Sequence, residues 1–258
     1  MTFLQICVLF VAGILGGTLN SVAGGGSFIT FPTLLFTGVP PINANATSTV
    51  ALWPGSVAST SAYRKELAKQ ERVRLLVLSG TSLIGGVFGA ILLLRTSQTT
   101  FVRLVPYLLL MATVLFAFSA PITNRLRRRN IETKETGTSW SGLVGIAFLQ
   151  LIIAVYGGYF GGGIGILMLA TLGLMGMENI HEMNALKTLL TSFINGVAVI
   201  TFIIAGAVVW AQAIVMVAGG IIGGYGGAYF ARQIDPRWVR AFVILVGVGM
   251  TTYFFLRG

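Results

Sequence analysis

Three adjacent glycines interrupt the first apolar part of the chain, in the stretch Gly24-Gly25-Gly26-Ser27 that continues to Pro32. Glycine adopts backbone angles that other residues resist, and each glycine inside a helix destabilises it by about 1 kcal/mol. The sequence therefore predicts that a helix ends at this triplet. In a membrane, such a break is tolerated only where the backbone is buried in protein or lines a cavity.

A second glycine triplet, Gly161-Gly162-Gly163, repeats the arrangement in the other half of the chain. A polar cluster follows each triplet after an apolar run. Asn45-Ala46-Thr47-Ser48-Thr49 in the first copy aligns with Asn184-Ala185-Leu186-Lys187-Thr188 in the second, 139 residues later. Paired interruptions of this kind in two halves of a membrane protein indicate the binding site of a transporter.

The composition is that of an integral membrane protein. Of 258 residues, 55% are hydrophobic and 9% are charged, whereas a soluble domain carries about 25% charged residues. The mean hydropathy is +0.87. A net charge of +10 would suggest a nucleic-acid partner in a soluble protein, but here we attribute it to basic loops on the cytoplasmic face and expect no nucleic acid. The first apolar segment lacks the basic start of a cleaved signal peptide, so we expect a retained helix.

Apolar runs of membrane-spanning length recur along the whole chain. We predict an all-α integral membrane protein with eight long hydrophobic helices and two shorter re-entrant or half-helices. The long segments cover residues 3–22, 44–63, 74–94, 101–120, 140–160, 184–205, 208–231 and 238–256. The short segments, 27–37 and 164–176, follow the glycine triplets and are too short to cross a bilayer as helices.

The internal repeat extends beyond the glycine triplets. Gly85-Gly86 aligns with Gly223-Gly224, and Gly89-Ala90 aligns with Gly227-Ala228, at nearly the same offset. Matches in this order indicate a duplication. The predicted units are a first transmembrane repeat (1–120), a basic cytoplasmic linker (121–139) and a second, pseudo-symmetric transmembrane repeat (140–258). We expect the small residues of the third and seventh long segments to let helices pack closely.

The basic residues predict the orientation of the repeats. The loop 64–74 and the linker 121–139 hold five Lys or Arg residues each, which favours the cytoplasmic side for both. If each triplet ends a hairpin that returns to its starting side, the halves are inverted and the loop with Arg232, Arg237 and Arg240 is cytoplasmic too. Parallel halves would place those three residues outside, against the charge rule. We expect a multi-pass protein of the cell (inner) membrane.

Both half-helices begin just after a glycine triplet, so inverted halves would bring two helix N-termini together. A helix N-terminus exposes unpaired amides and carries about half a positive charge, which suits an anion. Any single hydroxyl residue beside it is better explained by a bond to its own helix backbone, but the cluster, repeated beside two glycine triplets, favours a site. The candidate substrate-binding residues are Gly24, Gly25, Gly26, Ser27, Asn45, Thr47, Ser48, Thr49, Gly161, Gly162, Gly163, Asn184, Lys187 and Thr188.

Lys187 is the most informative single residue of this set. A lysine at the centre of a membrane helix costs about 2.5–3.5 kcal/mol on insertion scales, so it normally has a purpose. One interpretation is that its ammonium group binds the anion. The other is that it lies near the helix start and extends to the cytoplasmic surface.

Other polar residues have two interpretations as well. Glu178, His181 and Glu182 form either a proton relay or a solvated loop, and a coupled carrier would use a proton or a sodium ion. Cys7 is the single cysteine. There is one histidine, no Cys-x-x-Cys and no phosphate-binding loop, so neither an enzyme, a metal site nor a cofactor is predicted.

At these residues the chain resembles the sulfite exporter TauE/SafE family, also called the toluene sulfonate uptake permease family. The resemblance covers essentially the whole chain and rests on the glycine triplets, on Pro32 and on the two polar clusters. The second half departs from the pattern with Leu169 in place of the proline. The resemblance implies two similar halves and the transport of sulfur-containing anions such as sulfite, thiosulfate and organosulfonates.

The predicted function is therefore transmembrane transport of a small anion in the lipid bilayer. Three alternatives remain open: a carrier of carboxylates or other organic anions, a passive anion channel, and a membrane-embedded accessory protein with Cys7 as its reactive group. Two polar clusters at mid-membrane depth favour a transporter. The sequence leaves open the substrate, the direction, the coupling ion and the oligomeric state.

Overall fold

The computed structural model describes residues 1–130, 140–174, 177, 179–230 and 236–257. Within these residues the chain is helical and has no β-strand, so the predicted all-α class is confirmed. The described helices are α1 (Phe3–Ala23), α2 (Ser27–Phe36), α3 (Pro41–Ala62), α4 (Arg64–Leu67), α5 (Arg72–Arg95), α6 (Gln98–Asn130), α7 (Trp140–Tyr159), α8 (Ile164–Leu174), α9 (Ile180–Ile204), α10 (Trp210–Phe230) and α11 (Pro236–Arg257).

Several of these helices are suited to a bilayer. In the described part of the chain, three are long and apolar enough to cross it, over Phe3–Asn20, Arg72–Arg95 and Glu182–Ile204, and shorter apolar segments lie in α2, α6, α7, α10 and α11. On α5, Leu76, Ile84 and Phe88 are 73%, 67% and 60% exposed. An outward surface of this kind is expected to face lipid. The prediction of eight spanning helices remains a prediction.

The structure differs from the predicted segments at two places. Helix α6 continues through Pro121 to Asn130, so the first part of the stretch predicted as a linker is helical. Arginine and leucine are good helix formers, which explains why the helix continues beyond its apolar residues. Residues 131–139 lie outside the described residues. The short helix α4 lies in the basic loop 64–74 and was not predicted.

Both glycine triplets end a helix, as predicted. Gly24 has φ 74°, and its N–H donates to the carbonyl oxygens of Leu19 and Asn20 at 3.1 and 3.2 Å. Gly161 and Gly163 have φ 74° and 72°, a region that other residues occupy at a cost of about 1–2 kcal/mol. The helices that follow, α2 and α8, have 10 and 11 residues. At 1.5 Å per residue each is about half the thickness of a bilayer core.

Glycine allows the tightest helix contacts, which confirms the packing role predicted for the small residues. A side-chain carbon on Gly13 of α1 would lie 2.6 Å from the carbonyl oxygen of Met216 in α10, and one on Gly85 of α5 would lie 2.9 Å from that of Leu151 in α7. No real side chain fits at these distances. Helix α1 therefore packs directly on α10, and α5 packs directly on α7.

Helices α3 and α9 lie side by side and run in opposite directions. The amide nitrogen of Asn43, near the start of α3, donates to the carbonyl oxygen of Ala207, just after α9, at 2.8 Å. Further along α3, Trp53 Nε1 donates to the carbonyl oxygen of Ser192 at 3.0 Å. Residue numbers thus rise along α3 while they fall along α9. Each of these helices carries one copy of the polar cluster.

Candidate functional site

A small interior cavity lies between α3 and α9, where the glycine triplets also meet. Its volume is about 30 Å³, enough for about two water molecules. The first half of the chain contributes Asn20, Gly24, Ser27, Thr49, Leu52, Ser56 and Ser59, and the second half contributes Gly161, Ile164, Gly165, Lys187, Thr188, Thr191 and Asn195. The two halves therefore share the cavity.

The first turns of both half-helices reach this cavity. Ser27 begins α2, and Gly165 is the second residue of α8. Among the described residues, neither backbone N–H has a hydrogen-bond partner, although the neighbouring Phe28 N–H donates to the carbonyl oxygen of Gly25 at 3.1 Å. Each half-helix therefore has one free amide in a residue that lines the cavity, close to the partial positive charge of a helix N-terminus.

Lys187 lies inside the protein and lines the same cavity. Its side chain is 5% exposed, and it makes no hydrogen bond or ion pair with any residue that the structure describes. Among the cavity residues that the structure describes, it is the only charged side chain. This interior position does not fit the interpretation in which the side chain extends to the cytoplasmic surface. A buried charge without a partner is costly, which makes the cavity attractive to an anion.

The first copy of the polar cluster is placed differently, since most of its side chains bind protein groups. Asn45 Nδ2 donates to the carbonyl oxygen of Tyr159 at 3.0 Å, and Thr47 Oγ1 accepts from the N–H of Val209 at 3.0 Å. The hydroxyl groups of Ser48 and Thr30 are 2.6 Å apart. Of this copy, Thr49 alone is among the residues that line the cavity.

The remaining candidate residues lie beside the cavity and do not line it. They are Gly25, Gly26, Gly162, Gly163 and Asn184, together with Asn45, Thr47 and Ser48 of the first copy. Gly26 packs closely on the backbone of Gly16. The hydroxyl of Tyr156 donates to the carbonyl oxygen of Gly162 at 2.6 Å, which holds the second triplet in place. These glycines shape the site through packing.

Five polar cavity residues were not predicted: Asn20, Ser56, Ser59, Thr191 and Asn195. Four of them continue the polar clusters along the same helix faces, at spacings of three and four residues. Ser56 and Asn195 are also 139 residues apart, the offset of the repeat. Following the helical period beyond each cluster would have found them.

Of the residues predicted as a relay or a loop, Glu182 is not among those that line the cavity. Glu182 lies in the first turn of α9, and its carboxylate accepts from Gln70 Nε2 at 3.1 Å and from Asn179 Nδ2 at 3.3 Å. Glu178 lies outside the described residues, as do Lys134 and Arg232. The backbone of His181, Arg237 and Arg240 is described, and their side chains are not.

Comparisons with known proteins identify the family. The family described as sulfite exporter TauE/SafE matches residues 9–254. A probable membrane transporter protein of Haemophilus influenzae is 26% identical over 247 residues, covering 95% of this chain and 92% of the relative. The probable membrane transporter protein YfcA of Escherichia coli (strain K12) is 26% identical over 250 residues, with 96% and 88% covered. YunE of Bacillus subtilis, also a probable membrane transporter protein, is 26% identical over 265 residues, with 95% and 96% covered. No solved structure matches the chain. The predicted resemblance is confirmed: the chain belongs to the sulfite exporter TauE/SafE family and is a multi-pass membrane transporter.

Proposed function

We propose that this transporter moves a small anion, a sulfur oxyanion or an organosulfonate, and binds it in the cavity between α3 and α9. One observation carries the proposal. The buried ammonium group of Lys187 has no partner among the described residues and lines the cavity that the first turns of two half-helices reach. An anion in this cavity would neutralise the lysine and accept hydrogen bonds from free amides.

The residues around the cavity have distinct roles in this proposal. Lys187 supplies the full positive charge, and the N–H groups of Ser27 and Gly165 donate to the oxyanion. Asn195 adds a side-chain amide. The hydroxyl of Thr188 donates to the carbonyl oxygen of Asn184 at 3.0 Å and can turn to a ligand instead, because helix back-bonding of this type is weak. The oxygens of a sulfonate or sulfite group would accept these donors.

The proposed function includes inverted repeats in the inner membrane. Helices α3 and α9 occupy matching positions in the two halves and run antiparallel, which supports inversion. Further helix contacts occur in matching pairs. The contact of α1 with α10 corresponds to the contact of α7 with α5. The contact of α3 with α10 corresponds to the contact of α9 with α5. The repeats are then residues 1–120 and 140–258, joined by a basic cytoplasmic segment.

A carrier fits the cavity better than an open channel. The cavity holds about 30 Å³, less than a continuous water-filled path would need. In a carrier, movement of the helices around the cavity would open it to each side of the membrane in turn. A proton or a sodium ion is the expected coupling ion.

Binding to the purified full-length protein tests this proposal. We expect thiosulfate, sulfite and methanesulfonate to bind competitively at one site, measured by calorimetry at constant ionic strength. Acetate is the comparison for carboxylates, and chloride is the comparison for a simple monatomic anion. Stronger binding of acetate than of every sulfur anion would favour an organic-acid carrier, and absence of binding by all of them would refute the anion site.

A further inference from the structure

The two copies of the polar cluster have different surroundings, and we propose that this difference marks two gates, one at each end of the α3–α9 pair. The first gate is formed by the hydrogen bonds of Asn43 and Thr47 to the loop 205–209. The second gate is the contact between Gln70 and Glu182. This inference rests on the proposed function, because the gates control access to the proposed anion site.

The first gate joins the start of α3 to the connection between α9 and α10. Asn43 Nδ2 donates to the carbonyl oxygen of Ala207 at 2.8 Å, and Thr47 Oγ1 accepts from the N–H of Val209 at 3.0 Å. Thr47 is fully buried. Gln98 Nε2 donates to Asn43 Oδ1 at 3.3 Å and so orients the amide of Asn43. This end of the α3–α9 pair is therefore closed by several directed bonds.

The second gate lies at the opposite end of the same helix pair. Gln70, in the connection between α4 and α5, donates to the carboxylate of Glu182 in the first turn of α9 at 3.1 Å. Glu182 occupies the position that corresponds to Asn43 at the 139-residue offset of the repeat. Asn43 and Glu182, at matching positions of the two halves, thus form hydrogen bonds at opposite ends of the α3–α9 pair. Asn43 does so through its side-chain amide and Glu182 through its carboxylate.

The cavity lies between the two gates. Its α3 wall runs from Thr49 to Ser59, and its α9 wall runs from Lys187 to Asn195. Ala44 and Ala46 of α3 are fully buried and lie between Asn43 of the first gate and the cavity residue Thr49. Lys187 and Thr188 of the second copy thus line the cavity together with Thr49 of the first copy. The other polar residues of the first copy are held in protein contacts: Asn45, Thr47 and Ser48.

This asymmetry identifies the step that must follow anion binding. An anion that enters past the second gate reaches Lys187, and it leaves on the other side only if the bonds of Asn43 and Thr47 break. Both hydrogen bonds join neutral groups, so breaking them leaves no buried charge without a partner. The first gate is thus suited to repeated opening.

Cysteine accessibility in the full-length protein tests the first gate without any substrate. The reporter is Ala46→Cys in a Cys7→Ser background, labelled with a water-soluble thiol reagent. The double change Asn43→Ala/Thr47→Val should raise the labelling rate at least tenfold. The control Gln150→Leu removes an interhelical bond of Gln150 to Ser82 at 2.7 Å far from the gate and should leave the rate unchanged. An unchanged rate in the double variant, or an equal rise in the control, would overturn the assignment.

A reversible lock provides the second test and its own folding control. An Asn43→Cys/Ala207→Cys pair, oxidised to a disulfide, should reduce transport of thiosulfate into proteoliposomes at least tenfold, while thiosulfate binding is retained and reductant restores transport. If the oxidised protein transports thiosulfate as fast as the reduced protein does, the first gate is refuted and the proposed anion site is unaffected. Loss of thiosulfate binding by the unmodified protein would instead refute the proposed function.

Discussion

Replacing Lys187 with methionine keeps a side chain of similar length and removes its charge. In the structure this ammonium group is 5% exposed and has no hydrogen bond or ion pair within the described residues. Two effects of opposite sign follow. The empty protein should become more stable, because an unpaired buried charge is removed. Anion binding should become weaker, because the bound anion loses its counter-charge.

The expected loss of anion affinity follows from the burial of the ion pair that Lys187 would form with the bound anion. A hydrogen bond to a charged group contributes about 1.5–3 kcal/mol, and breaking a buried ion pair costs about 3–5 kcal/mol. A loss of about 3 kcal/mol corresponds to roughly a hundredfold weaker binding at 1.4 kcal/mol for each factor of ten. Lys187→Arg should retain part of the affinity, since the guanidinium keeps the charge but is larger than the ammonium group.

The assay is titration with thiosulfate at one ionic strength, together with thermal unfolding of the empty protein in detergent. Lys65→Met is the matched control, because Lys65 is exposed on α4 and its charge is screened by solvent. The Lys65→Met change should alter neither the affinity for thiosulfate nor the melting temperature. An affinity of Lys187→Met within about threefold of the parent would refute the assignment of Lys187 to the site, and so would a lower melting temperature for the empty variant with unchanged binding.

Three further predictions address the site, the glycine break and the orientation of the halves. Asn195→Leu should weaken thiosulfate binding about tenfold by removing one donor of the cavity, with normal elution on size exclusion; unchanged affinity would remove this residue from the site. Gly161→Ala should destabilise the protein by about 1–2 kcal/mol because of its φ of 74°, whereas Gly145→Ala, in open space within a helix, should not lower the melting temperature. Single cysteines at Lys65 and Arg232 should react from the same, cytoplasmic side of the membrane; reaction from opposite sides would contradict the inverted repeats.

The predicted segments agree with the helices because hydropathy and glycine act locally. The apolar run after Gly26 and the run after Gly163 became short helices of about the expected length. The polar stretch after Pro121 was harder to assign, because its lack of apolar residues excludes a membrane span but not a helix. Helix α6 continues to Asn130 for that reason.

The candidate site was only partly predictable, because the residues of a repeat look alike in sequence while their neighbours differ. Asn45 and Asn184 occupy equivalent positions, yet Asn45 donates to the carbonyl oxygen of Tyr159, a contact between the two halves. Nothing in the local pattern of either cluster indicates which copy meets such a partner.

By itself the sequence determined that this is a helical membrane protein with two helix breaks and one lysine among apolar residues, and it predicted two related halves. These properties follow from composition, from periodicity and from the backbone freedom of glycine, all of which are local. Tertiary structure alone decided that the first turns of the two half-helices and Lys187 share one cavity. It also decided that Asn45, Thr47 and Ser48 of the first polar cluster bind protein groups instead of lining that cavity. Such choices depend on which distant groups pack together, and a buried polar side chain is held by whichever partner the packing of the helices supplies.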